Sequence, residues 1–301
     1  MRAVIAGVSV AAALGGIVAV VAVVGGDPAD ESPAGTRGCP QLDPVGGDQA
    51  EIVPAPAGTI PAAYTVEVVG RNPHDRGAFT QGLLHAGGLL YEGTGEYGAS
   101  RIRLVEPESG DVLAEQSLPE SMFGEGVAGH DGRLFQLTWR EEEVLVRDRC
   151  TLREVGRLTY DGEGWGLTGD GRLLWRSDGS STLSAHDPGT FARMRTVDVR
   201  DRGVPLDLLN ELELVDGRIL ANVWKTPWIA QIDPATGEVT GWIDASPLVD
   251  EVGSSDPEDV LNGIAVDGES GSLWLTGKRW PTMFEVRVVP GAELPVPGVD
   301  G

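Results

Sequence analysis

The residue best suited to chemistry is Glu125, which stands between Gly124 and Gly126. Flanking glycines let the backbone approach a neighbour closely and leave the carboxylate side chain free to meet a ligand. Glu125 is also one of five leading residues that recur along the chain: Gln81, Glu125, Trp165, Glu211 and Asn262, separated by 44, 40, 46 and 51 positions. Each opens a short apolar segment that ends at a glycine turn and is followed by a second strong strand, as in Gln81-Gly82-Leu83-Leu84, Gly88 and Leu89-Leu90-Tyr91. The positions after the second strands hold Trp139, Ser177-Asp178-Gly179, Trp224-Lys225 and Gly277-Lys278-Arg279-Trp280-Pro281. Tryptophans beside a carboxylate can wall a pocket in which burial raises its pKa toward neutrality, as suits a proton shuttle. Plainer readings stand next to this one. A tryptophan can simply fill space between sheets, and Glu125 can be a surface or metal-binding carboxylate. On residue type and spacing alone that choice stays open.

The elements that must position these residues follow from the repeat. A period in the forties with about four strands per unit is the pattern of propeller blades. The expected fold is all-β: one domain, a five-bladed β-propeller. First strands of the blades line the axis, which places the five leading residues in a ring at one end of the channel. The segment Tyr64 to Val69 has no partner in its own repeat and is expected to supply the outer strand of the last blade, closing the ring and covering a sheet edge. The longest spacing holds an insertion around Pro247 to Asp259, expected as a loop over one face.

Composition limits the function classes. A chain of 301 residues with 41% hydrophobic content can bury a sizeable core. A net charge of -23 repels phosphate backbones and anionic lipid, so nucleic acid is not an expected partner. Residues Ala3 to Val24 form an apolar run broken only by Ser9 and preceded by Arg2, so 1–25 is read as a signal peptide or membrane anchor. The expectation is an exported protein, secreted or anchored by this segment, which is its one expected link to a membrane. Residues 26–62 read as a flexible linker, 63–289 as the catalytic propeller and 290–301 as a loose tail, and a monomer is expected. The only cysteines, Cys39 and Cys150, form an even pair available for a disulfide in an exported protein, which would staple the N-terminal arm to the domain.

A family resemblance rests on strings that run in order from Tyr64 to Val289. They include Ala78-Phe79-Thr80-Gln81-Gly82-Leu83, Phe123-Gly124-Glu125-Gly126, Leu137-Thr138-Trp139 and Glu163-Gly164-Trp165-Gly166-Leu167-Thr168. Further on come Ser177-Asp178-Gly179, Leu209-Asn210-Glu211-Leu212-Glu213, Ala221-Asn222-Val223-Trp224, Leu261-Asn262-Gly263-Ile264 and Thr276-Gly277-Lys278 with Trp280-Pro281. Together these resemble the plant-type glutaminyl-peptide cyclotransferases. The resemblance implies a five-bladed propeller that converts the N-terminal glutamine of peptides or proteins to pyroglutamate and releases ammonia. It implies Glu125 as the acid/base, with Phe79, Gln81, Trp139, Trp165, Asn210, Trp224 and Lys278 lining the substrate pocket. It implies no cofactor for catalysis and no catalytic metal, leaving a structural ion in the channel open.

This chemistry suits the residue types. An α-amino group of pKa about 7.7 to 8.0 needs little help to become a nucleophile, whereas the leaving ammonia must be protonated. Glu125 can take the proton from the attacking nitrogen and return it to the departing one. Tryptophan walls would hold the glutamine folded for ring closure, and Lys278 with Asn210 or Gln81 would bind the oxyanion. Two segments depart from the family pattern near the expected rim, Lys225-Thr226-Pro227-Trp228 and Gly95-Glu96-Tyr97-Gly98-Ala99, and bear on the preferred second residue of the peptide. The rival readings are a lactonase-like hydrolase with a cation on Glu125, Glu211 and Asn262, and a non-catalytic peptide-binding propeller.

Overall fold

A computed structural model describes residues 39–42 and 54–292. The run Ala3 to Val24 and the end of the tail lie outside the described residues, and no helix among those described is long and apolar enough to cross a membrane.

The architecture is all-β and propeller-like. In chain order, β1 (Ala62–Pro73) precedes a first four-stranded sheet of β2 (Thr80–Ala86), β3 (Leu89–Thr94), β4 (Arg101–Val105) and β5 (Val112–Ser117). A second sheet holds β6 (Gly124–His130), β7 (Arg133–Thr138), β8 (Glu143–Asp148) and β9 (Glu154–Thr159). A third holds β10 (Leu167–Gly169), β11 (Leu174–Arg176), β12 (Thr182–His186) and β13 (Arg193–Asp198), and the short ribbon β14 (Arg200–Asp201) and β15 (Val204–Pro205) follows. The chain ends in β16 (Leu209–Val215), β17 (Arg218–Val223), β18 (Trp228–Ile232), β19 (Val239–Asp244), helix α1 (Ser246–Val252), β20 (Leu261–Val266), β21 (Leu273–Gly277) and β22 (Thr282–Pro290).

Sequence pattern and burial agree strand by strand. The second strand β3 is buried at every position, whereas the fourth strand β5 is exposed at nearly all of them. A middle strand covered on both faces by neighbouring sheets must be apolar throughout, while an outer strand faces water. The core lies between adjacent sheets. Phe135, Leu137 and Val144 of the second sheet meet Leu167, Leu174 and Phe191 of the third or its turns, and Leu83, Leu90 and Val105 of the first meet Ala265, Trp274 and Met283. The inner strands neighbour one another in a closed circuit, β2 with β6, β6 with β10, β10 with β16, β16 with β20 and β20 with β2.

The expected closing strand is present and does more than expected. β1 pairs antiparallel with β22 from Tyr64–Pro290 to Pro73–Thr282. It also pairs in parallel with β19 from Ala62–Gly241 to Thr65–Asp244, so the last strands merge into one eight-stranded sheet. The insertion read as a loop over Pro247 to Asp259 differs, because α1 fills its first half. Pro247 sits in the first turn, where no backbone N–H is required, Leu248 is buried, and Gly253 ends the helix in the left-handed conformation.

Part of the N-terminal arm is docked on the domain. Cys39 and Cys150 form a disulfide across a separation of 111 residues. Leu42 packs with the core between the first two sheets, and the Ala55 N–H donates to the Asp233 carboxylate at 2.6 Å.

Candidate active site

The inner strands carry the site on irregularities in their ladders. In β2, Thr80 and Gly82 pair with consecutive residues of β3, leaving Gln81 as an extra residue. Glu125-Gly126 in β6, Asn210-Glu211 in β16 and Asn262-Gly263 in β20 each lie in a register shift that sets two residues against one on the partner strand. Bulges re-aim side chains, and here they turn polar groups toward the axis at one end of the circuit. Gly126 is required by the fit: a Cβ there would stand 2.5 Å from the Leu167 nitrogen, because β6 and β10 approach along a Gly126 N–H to Trp165 carbonyl bond of 2.8 Å.

Three of the five leading residues touch in sequence. Asn262 Nδ2 donates to Gln81 Oε1 at 3.2 Å and to the Thr80 carbonyl at 2.9 Å, and Gln81 Nε2 donates to Glu125 Oε1 at 3.0 Å. Because Asn262 fixes which end of the Gln81 amide is oxygen, Gln81 presents its donor to Glu125. Glu125 Oε2 is buried and has no protein partner among the described residues. Glu211 does not join this chain. Its oxygens accept the Leu83 N–H at 3.3 Å and the Ile264 N–H at 2.9 Å, pinning β16 to β2 and β20. Of the oxygens the lactonase-like reading would use, both on Glu211 accept strand amides, whereas Glu125 Oε2 and Asn262 Oδ1 are buried without a protein partner among the described residues. No cluster of three or more metal-ligating side chains occurs among the described residues.

Aromatic side chains form an arc above Glu125. Phe79 meets Phe123 edge-on at 6.1 Å, Phe123 meets Trp139 at 5.5 Å, and Trp165 meets Trp224 at 5.5 Å. Trp165 lies flat over Gly179, where a Cβ would come within 2.7 Å of the indole. Lys278 Nζ stands 4.7 Å from the Phe79 ring centre and closes the other side of the arc. The loop bearing Lys278 is held by its own N–H on the Val260 carbonyl at 2.9 Å and by Arg279 N–H on the Ala78 carbonyl at 2.7 Å. His74 adds to this, joining the Trp280 carbonyl and the Glu92 carboxylate at 2.7 and 2.9 Å.

Burial pushes the Glu125 carboxyl well above the ordinary carboxylate range, Lys278 opposes the rise, and Glu163 and Glu141 add to it. Burial likewise lowers the Lys278 ammonium, against the pull of Glu125 and Glu258. The arrangement brings together one buried acid that keeps its proton to higher pH than an ordinary carboxylate does, the Lys278 ammonium and a flat aromatic boundary.

Phe79, Gln81, Glu125, Trp139, Trp165, Trp224 and Lys278 are thus gathered by this arc and the polar chain beneath it. Asn210 is buried on its bulge and its carbonyl accepts the Ser177 hydroxyl at 2.6 Å, which ties β16 to the Trp165 loop. The two departures from the family pattern sit at the rim. Lys225 lies 4.4 Å from the Trp224 ring centre and pairs with Glu258 at 3.0 Å, Glu96 pairs with Arg279 at 3.4 Å, and Tyr97 meets Phe123 at 5.4 Å. Sequence reasoning missed Phe123 and Glu163 as site members, although both stand inside the strings quoted for the family.

A family model described as Glutamine cyclotransferase matches residues 47–288. The chain belongs to the glutamine cyclotransferase family. It is 40% identical over 227 residues to a glutaminyl-peptide cyclotransferase of Arabidopsis thaliana, covering 74% of this chain and 71% of that protein. It is also similar to the crystal structure of Myxococcus xanthus glutaminyl cyclase at 40% identity and a TM-score of 0.74, over 77% of this chain and all of that one. Every pocket residue named above falls within the part matched to the cyclotransferase family.

Proposed function

We propose that this chain converts the N-terminal glutamine of peptides and proteins to pyroglutamate with release of ammonia, using Glu125 as the proton shuttle. The observation that carries the reading is the state of the Glu125 carboxyl: one oxygen held by Gln81, the other without a protein partner, in a buried pocket beside Lys278.

In the proposed reaction the neutral α-amine attacks the γ-amide carbon of its own side chain. A C–N bond forms, and one N–H proton passes to ionised Glu125 at Oε2. The oxyanion of the tetrahedral intermediate is met by Lys278. Its collapse breaks the bond to the amide nitrogen, which takes the proton from Glu125 and leaves as ammonia. Glu125 ends ionised and the proton count is unchanged. Burial suits both halves of the exchange, since it brings the carboxyl's proton affinity toward that of the groups it serves. The aromatic arc confines the side chain to the folded conformer that ring closure requires.

The same reading takes the four-stranded units as five blades, with β1 completing the last. It also takes the chain as exported, supported by the Cys39–Cys150 disulfide, which belongs to an oxidising compartment. Mass spectrometry of glutamine-initiated peptides after incubation tests the function. Loss of one ammonia is expected, and no loss on several such peptides would remove the reading. Loss of turnover with a chelator and its return with added metal would overturn the metal-free route.

A further inference from the structure

We propose that Glu163 is a positioning residue for this reaction, its single oxygen Oε2 holding the indoles of Trp139 and Trp165 as one rigid wall of the pocket. The inference rests on the reading of Glu125 as the acid/base given above.

Trp139 Nε1 donates to Glu163 Oε2 at 2.8 Å and Trp165 Nε1 donates to the same oxygen at 3.0 Å. These tryptophans come from different sheets: Trp139 follows β7 in the second, and Trp165 precedes β10 in the third. Without Glu163 the aromatic arc would break between the Phe79–Phe123–Trp139 group and the Trp165–Trp224 pair. The other oxygen, Oε1, accepts from Arg140 Nε at 3.0 Å, and the Arg140 guanidinium lies 3.7 Å from the Trp139 ring centre, so one carboxylate orders two rings and the cation stacked on one of them. Burial raises the Glu163 carboxyl, but bonds from Trp165, Trp139 and Arg140 outweigh it and hold the group below its ordinary value. Glu163 is therefore ionised throughout the range in which Glu125 changes its proton.

That charge has a second consequence. The groups that act electrostatically with Glu125 are Lys278, which favours its ionised form, and Glu163, Glu141, Tyr97 and Tyr160. Removing the Glu163 charge makes ionisation of Glu125 easier. The pH below which turnover is lost then moves down.

Two substitutions separate position from charge. Glu163→Ala removes the shared acceptor and should raise KM for a glutamine-initiated peptide about tenfold with kcat changed less, as expected for losing charge-assisted bonds that shape the binding wall. Glu163→Gln keeps an acceptor oxygen and removes the charge, so KM should stay within about threefold while the acid limb of kcat/KM moves to lower pH. An unchanged KM in Glu163→Ala, or an unmoved acid limb in Glu163→Gln, would overturn the proposal. If Glu163→Ala does not fold, the pH profile of Glu163→Gln decides alone. Glu125→Gln assayed in parallel keeps the two readings apart: retained turnover there would remove the acid/base assignment. The indole wall would still be read from the near-ultraviolet circular dichroism of Glu163→Ala, which must differ from that of the parent enzyme if Glu163 orders the two rings.

Discussion

Replacing Glu125 by glutamine tests the chemistry and the energetics of the pocket together. The substitution preserves shape, and the amide oxygen of the new residue can accept the Gln81 bond now made at 3.0 Å to Glu125 Oε1. The NH2 group then takes the place of Oε2, the oxygen with no protein partner, and it cannot receive the amine proton. The loss is therefore that of general acid–base catalysis, about 10²- to 10⁴-fold in kcat, or about 2.7 to 5.5 kcal/mol in the barrier. KM should change little, because the aromatic arc and Lys278 are untouched.

Stability should move the other way. Burial raises the folded-state pKa of Glu125 above its unfolded value, so the folded protein binds this proton more tightly than the unfolded chain does. Stability associated with the group is fully present below the ordinary carboxylate pKa and is lost as pH rises toward the folded one. A neutral amide carries no such loss. Glu125→Gln should therefore melt at a higher temperature than the parent at alkaline pH and at nearly the same temperature at pH 4. Steady-state kinetics on a glutamine-initiated peptide, with thermal melts at the two pH values, read both arms. Turnover within tenfold of the parent would refute the shuttle, and a melting difference independent of pH would refute the account of the buried charge.

Lys278→Met removes the cation that favours ionised Glu125, so the acid limb of kcat/KM should move to higher pH while the plateau falls by about 10²- to 10³-fold with the oxyanion contact; a pH–rate profile checks both. Glu213 is buried on β16, accepts the Val266 N–H at 3.1 Å, and is pushed up to about 8 by burial. Against its ordinary 4.5, and at about 1.36 kcal/mol per pKa unit, its ionisation costs about 5 kcal/mol between those pH values. Glu213→Gln should show nearly parental stability at pH 4.5 and up to that much more at pH 9 in urea unfolding. Cys150→Ser opens a covalent loop with a separation of 111 residues and should cost up to about 4.7 kcal/mol by chain entropy, measured by the same unfolding, with kcat/KM unchanged. The disulfide follows β8 at the end away from Glu141, so it does not touch the pocket.

The all-β repeat was legible because middle strands buried on both faces must be apolar and glycine turns recur between them, so spacing alone placed Gln81, Glu125 and Asn262 at one end of the axis. Spacing could not say which of Asn210 and Glu211 faces the pocket. Both lie in one ladder irregularity, and a bulge decides orientation by backbone geometry that no side-chain period records. Glu163 was missed for a related reason. It lies in the loop before β10, where a carboxylate next to glycine has many uses, and its role exists only when two tryptophans from different sheets meet on one oxygen. Helix α1 was missed because its seven residues are too few for a helical period to stand out, and the proline at its start reads equally as a loop.

The contrast between Glu211 and Glu125 shows how one ring of matched positions divides into structure and chemistry. Both are buried carboxylates at corresponding places, and burial raises both pKa values. Glu211 spends its two oxygens on the N–H groups of Leu83 and Ile264, so any proton it holds is enclosed by strands that must stay paired. Glu125 is bound at one oxygen only, by an amide whose orientation Asn262 fixes from behind. A raised pKa by itself marks a buried acid. In the proposed reading it marks a shuttle when one oxygen is held in place, the other has no protein partner, and the groups around it can change the proton's affinity without moving the backbone. Among the leading residues of the five repeats, Glu125 alone is a carboxylate that meets those conditions, because Gln81 and Asn262, its neighbours in the ring, are amides that orient but do not titrate.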